Sequence, residues 1–224
     1  MDKKELVYIY DALCGWCYGF SPVMQKLHEK YGSQLAFTIV SGGLALGDRV
    51  LPIGSMASYI LESIPTVEMS TGVQFGEAYK ALLREGAYMQ NSEPPAIALA
   101  VVKARHPELA LPFAHALQQA IFLHGKSLND PKTYEELVYQ QDLPSPAQFV
   151  DDMAMLTYAD KAREDFTYAA RLGAMGFPTV IFRDGTKKNP KTGHDQYWQL
   201  SRGYRDYAYL DKALTELITS ASLA

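Results

Sequence analysis

The chain contains only two cysteines, Cys14 and Cys17, among its 224 residues. Gly15 and Trp16 separate them. Two thiols at this spacing can form a disulfide, open a disulfide on another molecule, or supply two of the four ligands that a zinc ion usually takes. A secreted scaffold held together by disulfides would need more cysteines than these two.

The cysteine pair lies where a predicted strand leads into a predicted helix. Residues 6–10 form an apolar run typical of a strand buried on both faces, and a helix is predicted over residues 14–31, ending at Gly32. The free amides and the dipole at a helix start stabilise a thiolate, and cysteines so placed have pKa values of about 3.5–7.5. A C-x-x-C motif in this context is typical of thioredoxin-like redox proteins. We therefore predict that Cys14 is an exposed nucleophile and that Cys17 is a shielded resolving thiol.

A zinc site is the main alternative for the pair, and it lacks ligands. There is no second cysteine pair, and His106, His115 and His124 are spaced nine residues apart. On one helix, that spacing places successive histidines on opposite faces, so they are better explained as surface or packing residues. We predict no metal site. Inert buried cysteines are also disfavoured, because they do not explain the position at a helix start.

The remaining pattern predicts an α/β fold. A second buried strand is predicted over residues 35–40, and only helices are predicted from about residue 56 to residue 158. The predicted helices of that block cover residues 56–64, 71–85, 95–105, 107–124, 131–140 and 145–155. The later elements are a helix at 160–172, strands at 178–182 and 196–202 with a turn at 184–185, and a helix at 206–220. The first two strands must be parallel. We predict one domain formed by residues 1–50 and 159–224 and a helical insertion of residues 51–158.

Composition and charge exclude several classes of protein. Apolar residues make up 48% of the chain and charged residues 21%, which is ordinary for a globular protein with a sizeable core. The formal net charge is −4, without basic clusters, which argues against a nucleic acid or an anionic membrane as partner. The longest apolar run, residues 94–102, is too short to cross a membrane, and no export signal is visible. We predict a soluble, cytoplasmic protein and leave its oligomeric state open.

A second motif, Gly176-Phe177-Pro178-Thr179, opens one of the predicted strands. Proline lacks an N–H group and is restricted to positions such as a strand start. From the residues alone a trans bond is the default, since only about 5–6% of X–Pro bonds are cis. A cis bond would leave the backbone of Phe177 free to pair with an extended substrate peptide.

The two motifs together resemble the DsbA family of thioredoxin-fold oxidoreductases, in particular its FrnE-like and protein-disulfide isomerase branch. The resemblance rests on residues 11–22, which read DALCGWCYGFSP, and residues 175–179, which read MGFPT. Residues 113–122, the Asp-Pro pair at 130–131 and the Arg-Gly-Tyr at 202–204 also resemble that branch. The similarity extends over nearly the whole chain.

This resemblance implies a thioredoxin fold with a helical insertion, in which Cys14 is the nucleophile and Cys17 the resolving thiol. It also implies that Pro178 is a cis-proline facing the cysteines, and that Trp16, Phe177 and Pro178 contact the substrate. Trp16 could equally be a packing aromatic at the helix start.

The sequence departs from the family pattern at two places. Gly15-Trp16 stands where well-studied DsbA proteins carry a histidine, and the lack of a cation makes a strongly oxidising potential less expected. Tyr8 occupies the position, six residues before the first cysteine, where many thioredoxin-fold enzymes bury an acid. Asp11 is the nearest acid, with either proton transfer or turn formation as its role.

The leading hypothesis is a thiol–disulfide oxidoreductase or isomerase acting on protein or small-molecule disulfides. It needs no cofactor beyond the Cys14–Cys17 pair, with glutathione as a candidate reductant. In the cytoplasm the pair rests largely reduced, which favours reduction or isomerisation over net oxidation. One alternative is a glutathione-dependent isomerase or kappa-class glutathione transferase, although these usually carry serine at the first cysteine. The other is a non-catalytic holdase that uses a groove lined by Met56, Tyr59 and Tyr88.

Overall fold

The structure is a computed structural model that describes residues 4–141, 143, 145–188 and 193–220. Four strands form one mixed sheet in the order β2-β1-β3-β4. The strands are β1 (Lys4–Tyr10), β2 (Ala36–Ser41), β3 (Thr179–Lys188) and β4 (Asp195–Arg202). β1 pairs with β2 in parallel and with β3 antiparallel, and β3 pairs antiparallel with β4. The predicted parallel first pair is therefore confirmed.

Most of the helices lie between β2 and β3 in the sequence. The helices are α1 (Gly15–Tyr31), α2 (Ala57–Thr71), α3 (Glu77–Glu85), α4 (Glu93–Arg105), α5 (Ala110–Phe122), α6 (Pro131–Gln140), α7 (Pro146–Met153), α8 (Leu156–Arg171) and α9 (Tyr207–Ser220). Short 3₁₀ turns occupy Gly47–Arg49, Ile53–Met56 and Pro107–Leu109. The division into a unit of residues 1–50 and 159–224 and an insertion of residues 51–158 stays a prediction.

β1 is the central element of the core, because apolar side chains cover both of its faces. Tyr8 and Tyr10 point into the main cluster, which also contains the buried side of α1. Val7 and Ile9 point to the other face and pack with Ala169 of α8. This two-sided burial explains the uninterrupted apolar run in the sequence, and it fixes the turn that follows β1 between two packed layers.

The helix predicted over residues 71–85 ends where expected, at Glu85, but its predicted start is wrong. α2 continues through Pro65 to Thr71 and ends at Gly72, whose positive φ of 80° gives a left-handed cap. The backbone then runs without helix until α3 begins after Gly76. A Cβ on Gly76 would lie 1.8 Å from the carbonyl oxygen of Leu123, so this close approach requires glycine.

The predicted turn at residues 184–185 is also wrong, since β3 continues to Lys188. The Asp184 side chain accepts a hydrogen bond from the amide of Thr186 at 3.0 Å, which is the local pattern of an Asx turn. The pairing with β4 shifts register between Asp184 and Lys188. The turn residues therefore produce an irregularity within the strand and do not end it.

α1 extends without interruption from Gly15 to Tyr31, although Pro22 lies inside it. Within the described ranges, no helix has both the length and the apolar character needed to cross a bilayer.

Candidate active site

Cys14 is the N-cap residue of α1. Its backbone is extended, and its Sγ accepts a hydrogen bond from the amide of Cys17 at 3.3 Å. The amide of Cys14 donates to the carbonyl oxygen of Asp11 at 3.1 Å, which closes the turn between β1 and α1. The sulfur thus takes the place that a Ser or Asp oxygen usually fills at an N-cap, at the positive end of a helix of 17 residues. Backbone amides of the first turn of α1 therefore point toward this sulfur.

The prediction that Cys14 is exposed is wrong, because only 9% of the residue is accessible. Its Sγ is directed to the amides of α1, and it also lies 3.6 Å from the carbonyl oxygen of Phe177. Trp16, one residue into the helix, is 36% exposed and its ring centroid lies 6.2 Å from that of Tyr204. Trp16 is therefore both a rim residue and a packing residue.

Cys17 is fully buried, as its spacing from Cys14 predicts. Burial raises the pKa of the Cys17 thiol well above its usual value, and the hydrogen bond and the charge of Cys14 raise it further. The backbone amide of Asp11 acts in the opposite direction as a hydrogen-bond donor. Cys17 is consequently a neutral thiol at neutral pH, while Cys14 lies at the accessible end of the pair.

Phe177 and Pro178 are far from the cysteines in the sequence but lie opposite them in the fold. The peptide bond between them is cis, as the family resemblance implies, and Pro178 is buried whereas Phe177 is half-buried. The amide of Gly203 donates to the carbonyl oxygen of Pro178 at 2.7 Å. This bond anchors the loop that presents the Phe177 carbonyl to the Cys14 sulfur.

Gly42 is a residue of this site that the sequence analysis missed. Its amide donates to the carbonyl oxygen of Tyr10 at 2.7 Å, and a Cβ on it would lie 2.1 Å from the ring of Phe177. The ring therefore packs directly on the backbone of Gly42. The one sequence feature that marks Gly42 is the Gly-Gly pair at residues 42–43, after the second strand, and that pair by itself indicates only a loop.

Replacing Gly42 by alanine is expected to displace Phe177 and with it the carbonyl beside Cys14. We expect the free energy of unfolding to fall by about 1–3 kcal/mol through overpacking, and the exchange rate to fall about tenfold to 100-fold through misplacement. Chemical denaturation and a disulfide-exchange assay measure the two effects. Gly176→Ala is the matched control, because a Cβ there meets no atom within 4 Å. Equal exchange rates for the two variants would contradict the role of Gly42.

Asp11 forms the turn before Cys14, with its carboxylate buried at 2% exposure. One oxygen accepts hydrogen bonds from the amide of Leu13 at 2.9 Å and the hydroxyl of Ser92 at 3.0 Å, and the other accepts from the amide of Leu44 at 2.8 Å. Burial raises the pKa of Asp11, and these donors partly offset that effect. The turn role of Asp11 is confirmed, and through Ser92 the same carboxylate connects the turn to the start of α4.

Tyr8 does not replace the buried acid of related proteins. Its hydroxyl donates to the carbonyl oxygen of Cys17 at 3.5 Å, and burial raises its pKa well above the usual value. The side chain therefore stays neutral and cannot accept the proton of Cys17.

Of the three residues expected to line an apolar groove, only Tyr59 lies beside the cysteine turn. It belongs to a cleft of about 120 Å³ between the start of α1 and α2 that also includes Trp16. Met56 and Tyr88 are not part of this cleft. In the part of the chain that the structure describes, no three His, Cys, Asp or Glu side chains converge to hold a metal ion.

A family model described as the DSBA-like thioredoxin domain matches residues 5–204. The chain belongs to this family. No curated protein sequence matches the chain. Its DSBA-like thioredoxin fold, with a four-stranded mixed sheet, confirms the predicted fold class.

Three solved structures illustrate this relationship. The cytosolic disulfide reductase DsbM from Pseudomonas aeruginosa is 26% identical, with a TM-score of 0.74 over 98% of this chain and 100% of that one. A candidate protein disulfide isomerase from Nitrosomonas europaea is 22% identical, with a TM-score of 0.79 over 97% and 98%. A 2-hydroxychromene-2-carboxylate isomerase is 13% identical, with a TM-score of 0.65 over 98% of both chains. The last two show likeness of fold alone.

Proposed function

We propose that the protein is a thiol–disulfide oxidoreductase that reduces or isomerises disulfides, with Cys14 as nucleophile and Cys17 as resolving thiol. The observation that carries this proposal is the position of the Cys14 sulfur. It caps α1, accepts the amide of Cys17 at 3.3 Å and faces the carbonyl of Phe177 at 3.6 Å. Amides at the start of a helix stabilise a thiolate, which is the form of cysteine that attacks disulfides.

The proposed reaction transfers two electrons in two exchange steps. The Cys14 thiolate attacks one sulfur of the substrate disulfide, forms a mixed disulfide and releases the other sulfur as a thiolate that takes up a proton. Cys17 then loses its proton, attacks the Cys14 sulfur and releases the second substrate thiol. The enzyme is left with a Cys14–Cys17 disulfide, which two molecules of a small thiol such as glutathione reduce while they become one disulfide.

The loop opposite the cysteines and the rim beside them form the proposed substrate site. Phe177 presents its carbonyl oxygen toward Cys14, next to the buried Pro178, and Trp16 is partly exposed at the rim. An extended peptide beside Cys14 could pair with the backbone of Phe177.

Reduction in the cytoplasm, with glutathione as reductant, is the direction we favour. The supporting comparison is DsbM, which is a cytosolic disulfide reductase and is also known as a structure with GSH. That GSH-containing structure is 25% identical to this chain. The Gly15-Trp16 dipeptide adds no cation beside the thiolate, which also agrees with a less oxidising pair.

The Cys17→Ser variant tests the order of the two steps. It can form the mixed disulfide through Cys14 but cannot resolve it, so a covalent adduct with a peptide disulfide is expected to accumulate to about one equivalent. Intact-protein mass spectrometry measures the adduct, and peptide mapping places it on Cys14. The Cys14→Ser variant is the control, in which the buried Cys17 should give almost no adduct. Adducts mainly on Cys17 would overturn the assignment.

A glutathione-dependent isomerase stays the alternative. It predicts turnover of a small electrophile that requires glutathione and survives Cys17→Ser. A disulfide reductase predicts that the same variant loses multiple turnover, so one pair of assays separates the two functions.

A further inference from the structure

We propose that Ser92, the residue before α4, is a positioning residue for disulfide exchange. Its hydroxyl fixes both the turn that carries Cys14 and the loop on which Phe177 packs, so that the two sides of the active site meet in the required geometry. This role rests on the proposed function and adds a residue of the helical segment to it. It is supported by how the hydroxyl is placed, by the two segments that it joins, and by where those segments meet.

The hydroxyl of Ser92 does not cap α4. Ser92 is the N-cap residue of that helix, yet its side chain makes no capping hydrogen bond. An N-cap side chain accepts from the amide of the second or third helical residue, and here these are Pro94 and Pro95, which have no N–H. Ser92 is nevertheless only 1% exposed. Since its own helix cannot use this buried hydroxyl, its partners in other segments explain its position.

Ser92 holds the loop after β2 through two hydrogen bonds. Its amide donates to the carbonyl oxygen of Ala45 at 2.9 Å, and the amide of Ala45 donates back to the Ser92 Oγ at 3.0 Å. Because Oγ is the acceptor in the second bond, the hydroxyl proton is left to donate elsewhere. Gly42, three residues before Ala45, is the residue on which the ring of Phe177 packs. Ser92 therefore fixes the loop that supports one side of the active site.

The same hydroxyl holds the turn before Cys14 through Asp11. It donates to one carboxylate oxygen of Asp11 at 3.0 Å, and that oxygen also accepts from the amide of Leu13 at 2.9 Å. The second oxygen accepts from the amide of Leu44, in the loop after β2, at 2.8 Å. All three partners are donors, which fits an ionised carboxylate because that form only accepts hydrogen bonds. The carboxylate is thus held between the turn and the loop, and Ser92 is hydrogen-bonded to both.

The two segments that Ser92 joins meet at the reacting sulfur. The amide of Cys14 donates to the carbonyl oxygen of Asp11 at 3.1 Å, and the Cys14 Sγ lies 3.6 Å from the carbonyl oxygen of Phe177. Loss of the Ser92 hydroxyl would leave the buried carboxylate short of a donor and the Ala45 amide short of an acceptor, a cost that movement of these segments relieves. A displacement of about 1 Å near reacting atoms can slow a reaction about 100-fold.

Protonation of Asp11 is the other way to relieve that cost. Burial raises the pKa of Asp11 and the Ser92 donor lowers it, so without that donor the carboxylate takes up a proton more readily. A protonated carboxyl presents an O–H where the site supplies only donors, which again displaces the turn or the loop.

The test compares Ser92→Ala with Ser92→Thr, which keeps a hydroxyl on the same carbon. The second-order rate constant for reaction of the reduced protein with hydroxyethyl disulfide is measured where circular dichroism shows each variant to be folded. We expect Ser92→Ala to react about tenfold more slowly than the unaltered protein, and Ser92→Thr to stay within about threefold of it. An unchanged rate constant in Ser92→Ala, or an equal loss in Ser92→Thr, would overturn the inference.

Ser21→Ala is the matched control for the loss of a buried hydroxyl. Ser21 is 2% exposed, and its Oγ lies 2.8 Å from Nδ1 of His115 in α5. Both alanine variants are expected to unfold at a lower concentration of denaturant, since each loses a buried hydrogen bond, but only Ser92→Ala should react more slowly. An equal fall in the rate constant of Ser21→Ala would show that the rate follows a general loss of packing, and would contradict a role specific to Ser92.

Asp11→Asn replaces Ser92→Ala if that variant does not fold. Asparagine has nearly the size of aspartate, but its side-chain nitrogen must face at least one of the donors that the carboxylate accepts. We expect this variant also to react about tenfold more slowly with hydroxyethyl disulfide, and an unchanged rate constant would contradict the connection from Ser92 to Cys14. An unaltered protein that does not react with hydroxyethyl disulfide contradicts the proposed function instead, so the two failures are distinguishable.

Discussion

Replacement of Cys14 by alanine is expected to abolish disulfide exchange. The only other thiol, Cys17, is fully buried, and burial raises its pKa, so it supplies neither an accessible sulfur nor a thiolate at neutral pH. We expect a loss of at least about 1,000-fold in the rate of reaction with hydroxyethyl disulfide, down to the background of the assay. The rate constant is measured under single-turnover conditions with the reduced protein.

Cys17→Ala is the matched control for this experiment. It removes the buried thiol but leaves the Cys14 sulfur at the start of α1, so the first exchange step should stay within a few-fold of the unaltered protein. A Cys14→Ala variant that keeps more than about a tenth of the activity would show that the capping sulfur is not the nucleophile.

The second exchange step is expected to accelerate about tenfold for each unit of pH over the range from 6 to 8.5. Its nucleophile is the Cys17 thiolate, and burial keeps the pKa of that thiol above its ordinary value of about 8.5. Once Cys14 is in a mixed disulfide, its charge no longer acts on Cys17, but burial, the largest cause, remains. Below the raised pKa only a small fraction of Cys17 is ionised, and that fraction grows tenfold per pH unit.

The decay of a preformed mixed disulfide measures this step directly. Quenching at successive times, followed by mass spectrometry, gives the rate at each pH. The rate of the first step is measured separately in the Cys17→Ser variant at the same pH values. The pH dependence of the first step can then be distinguished from that of the second. A rate that levels off at about pH 8.5 or lower would mean that the pKa of Cys17 is no higher than that of a free cysteine, and would contradict the effect of burial.

The sequence was sufficient for the parts of the site that depend on neighbouring residues. An apolar run followed by C-x-x-C predicted β1, the turn and α1, because strand burial and N-capping are local properties. The position of Pro178 before an apolar strand likewise predicted the start of β3. The end of α2 at Gly72 was missed because the pattern predicted a separate helix through residues 71–85. The glycine ends α2, and α3 starts only after Gly76.

The parts that were missed depend on segments far apart in the chain. The low exposure of Cys14 arises together with its contact with Phe177, which is 163 residues away. The ring of that phenylalanine requires glycine at position 42, which no local pattern reveals. The cleft between the start of α1 and α2 also depends on distant segments, because it is formed where α2 packs beside the start of α1.

The buried carboxylate of Asp11 has a consequence for how the protein loses activity. It accepts one hydrogen bond from the turn that carries the nucleophile and another from Ser92, which precedes α4. A single side chain therefore links the turn after β1 to the helical segment. Detachment of α4 would remove the Ser92 donor from this buried carboxylate and so weaken the turn that carries Cys14. Thermal inactivation and loss of helicity should therefore occur as a single event, without a partly unfolded form that still exchanges disulfides.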